Sequence, residues 1–398
     1  MSSTSRSIRS STRSSIANGT DSSRAQGSDS NTEQAARRVA RGVSQRVSMG
    51  ERLVEQMSAP INESVLVLKR TVAASVALAR LDKAVQLSTV GQQFASVLLK
   101  LDVAGGLLLD GQSVDIESLL LAQVARQPTH VRRAMAQRTS AIALLAQMGI
   151  DQAFMTRVAN AYTAASATEG VRGRNAIRSR ALSGKARQGI APEQRLVNDA
   201  QCLEEGLRAW LHFIDRGAGD AESVLMSGSA CRRWMQLRPY SRANTCIGMS
   251  VMDALSRVEG VSKNVTLPLA WHFASHGEGY RHALASSDES HWHLWWLASV
   301  TAVAEACLNL LQGWEAELNR LRGDPTVDAL GPDALAVLIQ PAFDGTDLVR
   351  AARVSRKRIK LFIDARVETN DLLAVASGRS GRYANARLWR LTNEWVSA

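Results

Sequence analysis

The chain has 398 residues and a mass of 43.1 kDa, enough to bury a sizeable core and to hold two or three domains. Its formal net charge of +11 favours an anionic partner such as nucleic acid or nucleotide phosphate, although plain solubility also accounts for such a charge. Four scattered cysteines lack metal-ligand spacing, and neither a long apolar run nor an apolar leader is evident. We therefore expect a cytoplasmic protein with no metal site and no membrane contact.

Residues 1–50 are rich in Ser, Thr, Arg and Gly and contain few apolar side chains. Such a segment cannot bury enough apolar surface to offset the entropy lost on ordering, so we predict a disordered arm. A solvated tail and a nucleic-acid-binding arm both fit this composition.

Residues 51–322 show helical periodicity, so we predict a mostly α core. The first apolar series runs from Leu66 to Leu81 in steps of three and four residues, as an amphipathic helix requires. Further helices are predicted at 97–101, 116–121, 131–165, 192–213, 224–237, 248–258 and 292–321. A break at residues 321–325 predicts a linker, which gives predicted regions 51–130, 131–322 and 323–398.

The segment from Arg238 to Met249 reads RPYSRANTCIGM, a loop followed by a helix start. With Pro239, Tyr240 and Asn244 in register, it resembles the signature of the Fic (Fido) family, His-Pro-Phe-x-Asp/Glu-Gly-Asn-Gly-Arg-x-x-Arg. The resemblance extends over roughly residues 60–398. It implies a Fido-like helical bundle core with a small β-hairpin flap, expected within residues 170–192.

In active members of that family a histidine is the base, an acidic residue holds Mg²⁺, a Gly-Asn-Gly turn binds phosphate and two arginines neutralise it. Here Arg238 replaces the histidine, Arg242 the acidic residue, and Cys246 and Met249 the arginines. A guanidinium has no lone pair with which to accept a proton, and it repels a cation. ATP and Mg²⁺ are therefore implied by resemblance only, and we expect a non-catalytic protein. The alternative is residual AMP transfer, or another nucleotide-dependent transfer, at an altered site.

An anion site at the start of this helix is a further prediction, because helix N-termini attract phosphate. Its residues are Arg238, Arg242, Asn244, Thr245 and Gly248. The alternative is that both arginines are solvated or pair with surface carboxylates.

Asp110 and Gly111 resemble the end of the family's inhibitory motif, Ser/Thr-x-x-x-Glu-Gly, with Gly106 in place of the hydroxyl residue. In the family the glutamate of this motif pairs with the last arginine of the signature. Met249 replaces that arginine, so we expect Asp110 to have no partner.

His272 and His276 have the i, i+4 spacing that can place two imidazoles on one metal. No third ligand is evident in the sequence, which favours a structural role for the pair.

Residues 346–363 have the pattern of a helix-turn-helix, with Ser355 as the cap of its second helix. A hairpin is predicted to follow, with strands at 372–376 and 382–391 around a turn at 377–381. A helix-turn-helix followed by a basic hairpin is a winged helix, and it resembles the winged-helix tail of many Fic proteins. The predicted DNA contacts are Ser355, Arg356, Lys357, Lys360, Arg379 and Arg382.

These patterns together predict a regulator that binds DNA or a protein partner through its C-terminal winged helix. Many winged-helix tails pack only on their own core or on a protein, so both partners are kept. The sequence leaves homodimer formation open.

Overall fold

The structure, a computed structural model, describes residues 51–59, 61, 64–114, 135–136, 138–140, 143, 151–166, 177, 200–217, 223–241, 243–258, 260–376 and 381–397. The predicted arm, the helix predicted at 116–121 and most of the predicted flap lie outside these residues, as do Arg242 and Arg379.

The described part of the chain is mostly helical, as predicted. Residues 51–58 are helical. The helices that follow are α1 (Val65–Leu87), α2 (Gly91–Leu109), α3 (Gln152–Ser166), α4 (Ala200–Gly217), α5 (Ser223–Leu237), α6 (Asn244–Val258), α7 (Leu269–Ser275), α8 (Gly277–Ala285) and α9 (Glu289–Arg322).

The C-terminal elements combine short helices with a three-stranded antiparallel sheet. In chain order they are α10 (Pro325–Asp328), α11 (Pro332–Leu338), β1 (Ala342–Asp344), α12 (Gly345–Ala352), α13 (Arg356–Glu368), β2 (Leu372–Ala376), β3 (Arg382–Asn385) and α14 (Ala386–Ser397). The strand order is β1-β3-β2, with Ala342 opposite Ala384 and Leu372 opposite Asn385.

The long helix α9 is the centre of the core, where it packs against α1, α5 and α14. Two of its indole N–H groups donate to carbonyls of α5: Trp292 to Gly228 at 2.8 Å and Trp296 to Val224 at 3.0 Å. A Cβ on Gly228 would lie 2.6 Å from the Trp296 ring, so a glycine is needed for this approach. These two buried tryptophans therefore serve core packing.

Helix α1 forms where predicted, but only the end of its apolar series, Leu78 and Leu81, lies on the buried face. Leu66, Leu68, Val72 and Val76 are exposed, whereas the buried stripe includes Val67. The series from Leu66 mixes two sides of the helix. Because apolar side chains lie on both sides of α1, periodicity alone did not identify its buried face.

The second predicted strand of the C-terminal hairpin is wrong beyond Asn385. The side-chain oxygen of Asn385 accepts hydrogen bonds from the backbone N–H groups of Arg387 and Leu388, at 3.2 and 3.1 Å, and so caps α14. Its amide donates to buried Glu317 of α9 at 2.9 Å. Leu388 and Trp389 are buried on the resulting helix. The chain is therefore helical where alternation of apolar residues suggested a strand.

The predicted linker is short and held at its end. After α9 ends at Arg322, Asp324 caps α10 through the Thr326 N–H at 2.9 Å and accepts a hydrogen bond from Arg366 of α13. Arg366 also pairs with Asp371 at 2.7 Å. These contacts fix α13 against the end of α9, and the boundary at residue 323 stays a prediction.

Two described helices, α2 and α9, are long and apolar enough to cross a membrane by length and composition alone. Both are substantially buried against other helices. Buried core helices meet the same criterion of length and apolar composition.

Candidate functional site

The signature segment forms a closed loop between α5 and α6. The side chain of Asn244 accepts from the Tyr240 N–H at 3.0 Å and donates to the Tyr240 carbonyl at 2.7 Å. Ala243 adopts φ 56°, a conformation that favours glycine, and it stands where the family has its first glycine. Tyr240 also forms an antiparallel bridge with Ile177, which lies within the predicted flap.

Asp110 binds the first turn of α6. Its Oδ1 accepts a hydrogen bond from the Thr245 N–H at 2.9 Å, and its Oδ2 accepts one from the Cys246 N–H at 3.1 Å. Burial raises the pKa of Asp110, whereas these bonds and the charge of Arg238 oppose that shift. The expectation that Asp110 lacks a partner is wrong, because two backbone N–H groups bind its carboxylate. The carboxylate therefore occupies two of the donors that a phosphate would need.

Two glycines let α2 carry Asp110 to this position. A Cβ on Gly105 would lie 2.1 Å from the Trp271 backbone nitrogen, and one on Gly106 would lie 3.0 Å from Cys246 Sγ. Close packing of α2 on α7 and α6 thus depends on residues without side chains. Gly111 follows Asp110 with φ 84° and ends the helix.

Gly248 serves packing within α6. A Cβ there would lie 2.3 Å from Trp234 Cδ1, so the indole lies directly over this position. The Trp234 N–H donates to the Asn244 carbonyl at 2.6 Å. Trp234 therefore covers the first turns of α6 and keeps ligands away from Gly248.

A buried ionic network supports α6 from the opposite side. Arg138, which is 2 % exposed, donates to Asp102 at 2.5 Å and to Ser250 at 3.0 Å, and its Nε lies 3.6 Å from Asp253. Burial raises the pKa of Asp102 to about 6, and Arg138 opposes the shift. Met249 and Arg138 border a cavity of only about 40 Å³.

Arg238 borders the larger space at this site, a cleft of about 430 Å³. Arg281, Ser275 and the apolar side chains of Leu108 and Leu109 also line it. Tyr280, 3 % exposed, completes the wall, and burial raises its pKa while nearby Arg238 opposes that shift. The cleft is therefore lined by two cationic side chains, Arg238 and Arg281, and Asp110 lies close to Arg238.

The structure therefore brings together only some of the residues predicted to bind an anion. Arg238 reaches a cleft, but Asn244 closes its own loop, the Thr245 N–H binds Asp110 and Gly248 faces Trp234. Arg242 lies outside the described residues. Anion binding at Arg238 stays a prediction. The N-terminus of α6, which was the reason for it, is bound by Asp110.

The histidine pair has the packing expected of a structural role. The His272 and His276 rings lie 4.1 Å apart between centroids, and His276 Nδ1 lies 3.0 Å from the His272 carbonyl oxygen. Burial lowers the pKa of His272 to about 4. Among the described residues no group of three or more His, Cys, Asp or Glu side chains could hold a metal ion.

The second candidate surface is the start of α13. Ser355 caps this helix by accepting from the Arg358 N–H at 3.3 Å, as predicted, and Asp344 caps α12. Arg356, Lys357 and Lys360 are exposed, and Ile359 and Ile363 face inward. Arg382 is half-buried on β3.

No protein-family model matches the sequence, and no curated protein matches it. Among solved structures, the chain is similar to a Fic family protein from Desulfovibrio desulfuricans G20. The match has 11 % identity and a TM-score of 0.49, and it covers 82 % of this chain and 97 % of that one.

Sequence reasoning missed several site residues. Arg138 and Asp102 could have been suspected, because Lys100 and Asp102 interrupt an apolar helix and a buried carboxylate requires a partner. Arg358 is exposed beside the predicted DNA contacts. Tyr280 and Arg281 carry no signal of their own, since only the packing of α8 places them at the cleft.

Proposed function

We propose that this protein is a degenerate Fido-domain protein that has lost catalysis and acts as a DNA-binding regulator through a C-terminal winged helix. The observation that carries the proposal is the cationic start of α13. Four exposed side chains stand within its first two turns: Arg356, Lys357, Arg358 and Lys360. Within the described residues none of the four forms an ion pair.

The order of elements supports the winged-helix interpretation. Helices α12 and α13 meet at Arg353, which has a left-handed φ of 53°, and strands β2 and β3 follow them. Strand β1 pairs with β3, giving the order β1-β3-β2. In helix-turn-helix proteins the N-terminal residues of the second helix contact base edges in the major groove. The cations of α13 occupy that end of the helix.

Nearby carboxylates are engaged elsewhere, so they leave this charge uncompensated. Asp344 caps α12, Asp347 pairs with Arg350 at 3.2 Å, and Asp371 pairs with Arg366. Asp364 and Glu368 are exposed further along α13, beyond the cationic turns. The charge of the C-terminal part is thus concentrated where phosphates would approach.

Loss of catalysis is supported by the geometry of the signature loop. Arg238 offers donors but no lone pair where the family has its base. Asp110 holds the Thr245 and Cys246 N–H groups that would otherwise be available to phosphate. With Met249 and Cys246 buried and uncharged, these residues provide no clamp for a triphosphate.

A protein partner at the same surface is the second candidate. Leu361 is 62 % exposed on α13, and Leu373 on β2 is also exposed. Apolar side chains of this size contribute to protein contacts and nothing to phosphate contacts. Substitution of Leu361 by Ser would reduce protein binding but leave DNA binding unchanged.

Duplex DNA binding measured by fluorescence anisotropy over a salt series tests the proposal. Phosphate contacts predict a linear fall of log K with log salt, with a slope of about −0.9 for each contact. Replacing Arg356, Lys357 and Lys360 by Gln should weaken binding and make the slope shallower by up to about 3. Binding that is absent at low salt, or unchanged in this triple variant, would contradict the proposal.

A matched control removes the same charge from another exposed helix face. Replacing Lys69, Arg70 and Arg80 of α1 by Gln also lowers the net charge by three. This variant should bind DNA with nearly the wild-type slope, because its lost charges lie outside the proposed contact. An equal loss in both triple variants would indicate attraction to net charge alone.

A further inference from the structure

A second cavity, of about 570 Å³, lies apart from both surfaces described above. It is bounded by α5, by the chain around Gln56 and Ala59, and by the turn from α8 into α9. Its volume falls in the range of small-molecule pockets, about 300–1,000 Å³. Two adjacent arginines of α5, Arg232 and Arg233, form its wall.

Arg233 has a complete set of partners. It donates to the Met57 carbonyl at 3.1 Å and to the Ala59 carbonyl at 2.6 Å, and it lies 3.5 Å from a Glu289 carboxylate oxygen. Its guanidinium stacks 3.7 Å from the centre of the Phe213 ring. This arginine therefore holds the residues after the first described helix against α5, and it has a structural role.

Arg232 differs from its neighbour although it is only 7 % exposed. Among the described residues its side chain makes one hydrogen bond, to the Ser286 carbonyl. Burial lowers the pKa of Arg232, and the charges of nearby Glu289 and Asp288 oppose that shift without forming an ion pair with it. Its Nε has no hydrogen-bond partner. Burial of a guanidinium is costly unless its donors are satisfied, so a buried guanidinium with unused donors marks a place for an anion.

The other polar groups of the wall are already engaged. The Gln236 amide donates to the Leu284 carbonyl at 3.3 Å and accepts from Gln56 at 3.1 Å. Glu289 lies near Arg233 and His293, at 3.5 and 3.8 Å. Ser287 is exposed at the rim of the cavity. Among the described wall residues, Arg232 is therefore the one with unused hydrogen-bond donors.

We propose that this cavity binds a small molecule through an oxyanion group, a carboxylate or a phosphate, held by the guanidinium of Arg232. A planar fork of N–H donors matches both groups in two-point hydrogen bonds. The ligand would neutralise the buried charge and bridge α5 to the turn before α9. This site is independent of DNA binding by α13 and of the signature loop.

Thermal unfolding at constant ionic strength tests the site, with inorganic phosphate and acetate as probes and chloride as the reference. A ligand that binds only the folded state raises the melting temperature as its concentration exceeds Kd. Phosphate or acetate at tens of millimolar should raise the melting temperature of the wild type and leave that of Arg232→Gln unchanged. A response to phosphate alone or to acetate alone identifies which group the site takes.

Two further variants make the result decisive. Arg281→Gln removes a cation from the cleft beside Arg238, and it should keep the full response. Ser287→Glu changes an exposed residue at the cavity and brings a carboxylate to it, so it should abolish the response to added anions. A response that persists in Arg232→Gln or in Ser287→Glu, or that is absent from the wild type, would overturn the proposal.

Discussion

Substitution of Gly248 by Ala separates two roles for this residue, packing against Trp234 and binding of an anion. The added Cβ would lie 2.3 Å from Trp234 Cδ1 and 2.5 Å from its Nε1. Ordinary contact requires the indole to move by roughly 1 Å or more, since carbon atoms pack at about 3.5–4.0 Å. Trp234 is fully buried and lies 4.9 Å from Trp210 between ring centroids, so it has little room to move.

The magnitude follows from three contributions. Overpacking a close-packed core costs about 1–3 kcal/mol. Displacement of the indole breaks its 2.6 Å hydrogen bond to the Asn244 carbonyl, and a buried donor left without a partner costs about 1–3 kcal/mol. Replacing Gly by Ala within a helix returns about 1 kcal/mol. The net expectation is a loss of about 1–5 kcal/mol in the free energy of unfolding.

Urea unfolding followed by tryptophan fluorescence measures this change directly. Gly279→Ala is the matched control, because a Cβ there would lie 3.4 Å from Trp295 Nε1, an ordinary contact. That variant should be as stable as the wild type or slightly more stable. A Gly248→Ala protein with an unchanged or higher urea midpoint would refute the packing role. Gly248 would then again be a candidate residue for anion binding.

Two further predictions concern the buried network and the cap of α13. Because burial raises the pKa of Asp102 to about 6, its contribution to stability is complete below its unfolded pKa and is lost as pH rises through about 6. The full loss is on the order of 3 kcal/mol, and Asp102→Asn should flatten this part of the pH profile measured by urea unfolding; an identical profile would contradict it. Ser355→Ala removes the cap of α13 and should cost about 1 kcal/mol, with faster amide exchange in its first turn; unchanged exchange there would show that the cap contributes nothing.

How far the sequence predicts this molecule depends on how local each signal is. Helix α9 was predicted almost to its ends, because its apolar residues continue over many turns and Asp288 and Gly323 flank it. The strand predicted after Asn385 failed for the opposite reason. Asn385 caps the helix locally, and its amide also donates to Glu317, a residue 68 positions earlier in the chain. No local pattern contains that contact.

The candidate site shows the same division. The loop from Arg238 to Asn244 follows from a signature within one short segment, and Asn244 closes it as a local contact. The binding of Asp110 to the start of α6 joins residues 135 and 136 positions apart, so its geometry appears only when α2 packs on α6. The sequence shows that Arg238, Arg242, Cys246 and Met249 differ from the charged positions of the signature that this segment resembles. It could not show that the carboxylate of Asp110 binds the first N–H groups of α6.

Amide hydrogen exchange of the full chain, with and without duplex DNA at low salt, tests the proposed function most directly. A DNA contact through the winged helix predicts added protection at the start of α13, around Arg356, Lys357 and Lys360, and along β2 and β3. Protection should disappear at high salt, because phosphate contacts release counterions. Protection confined to the cleft around Arg238, or an unchanged exchange rate throughout α13, would contradict DNA binding through this helix.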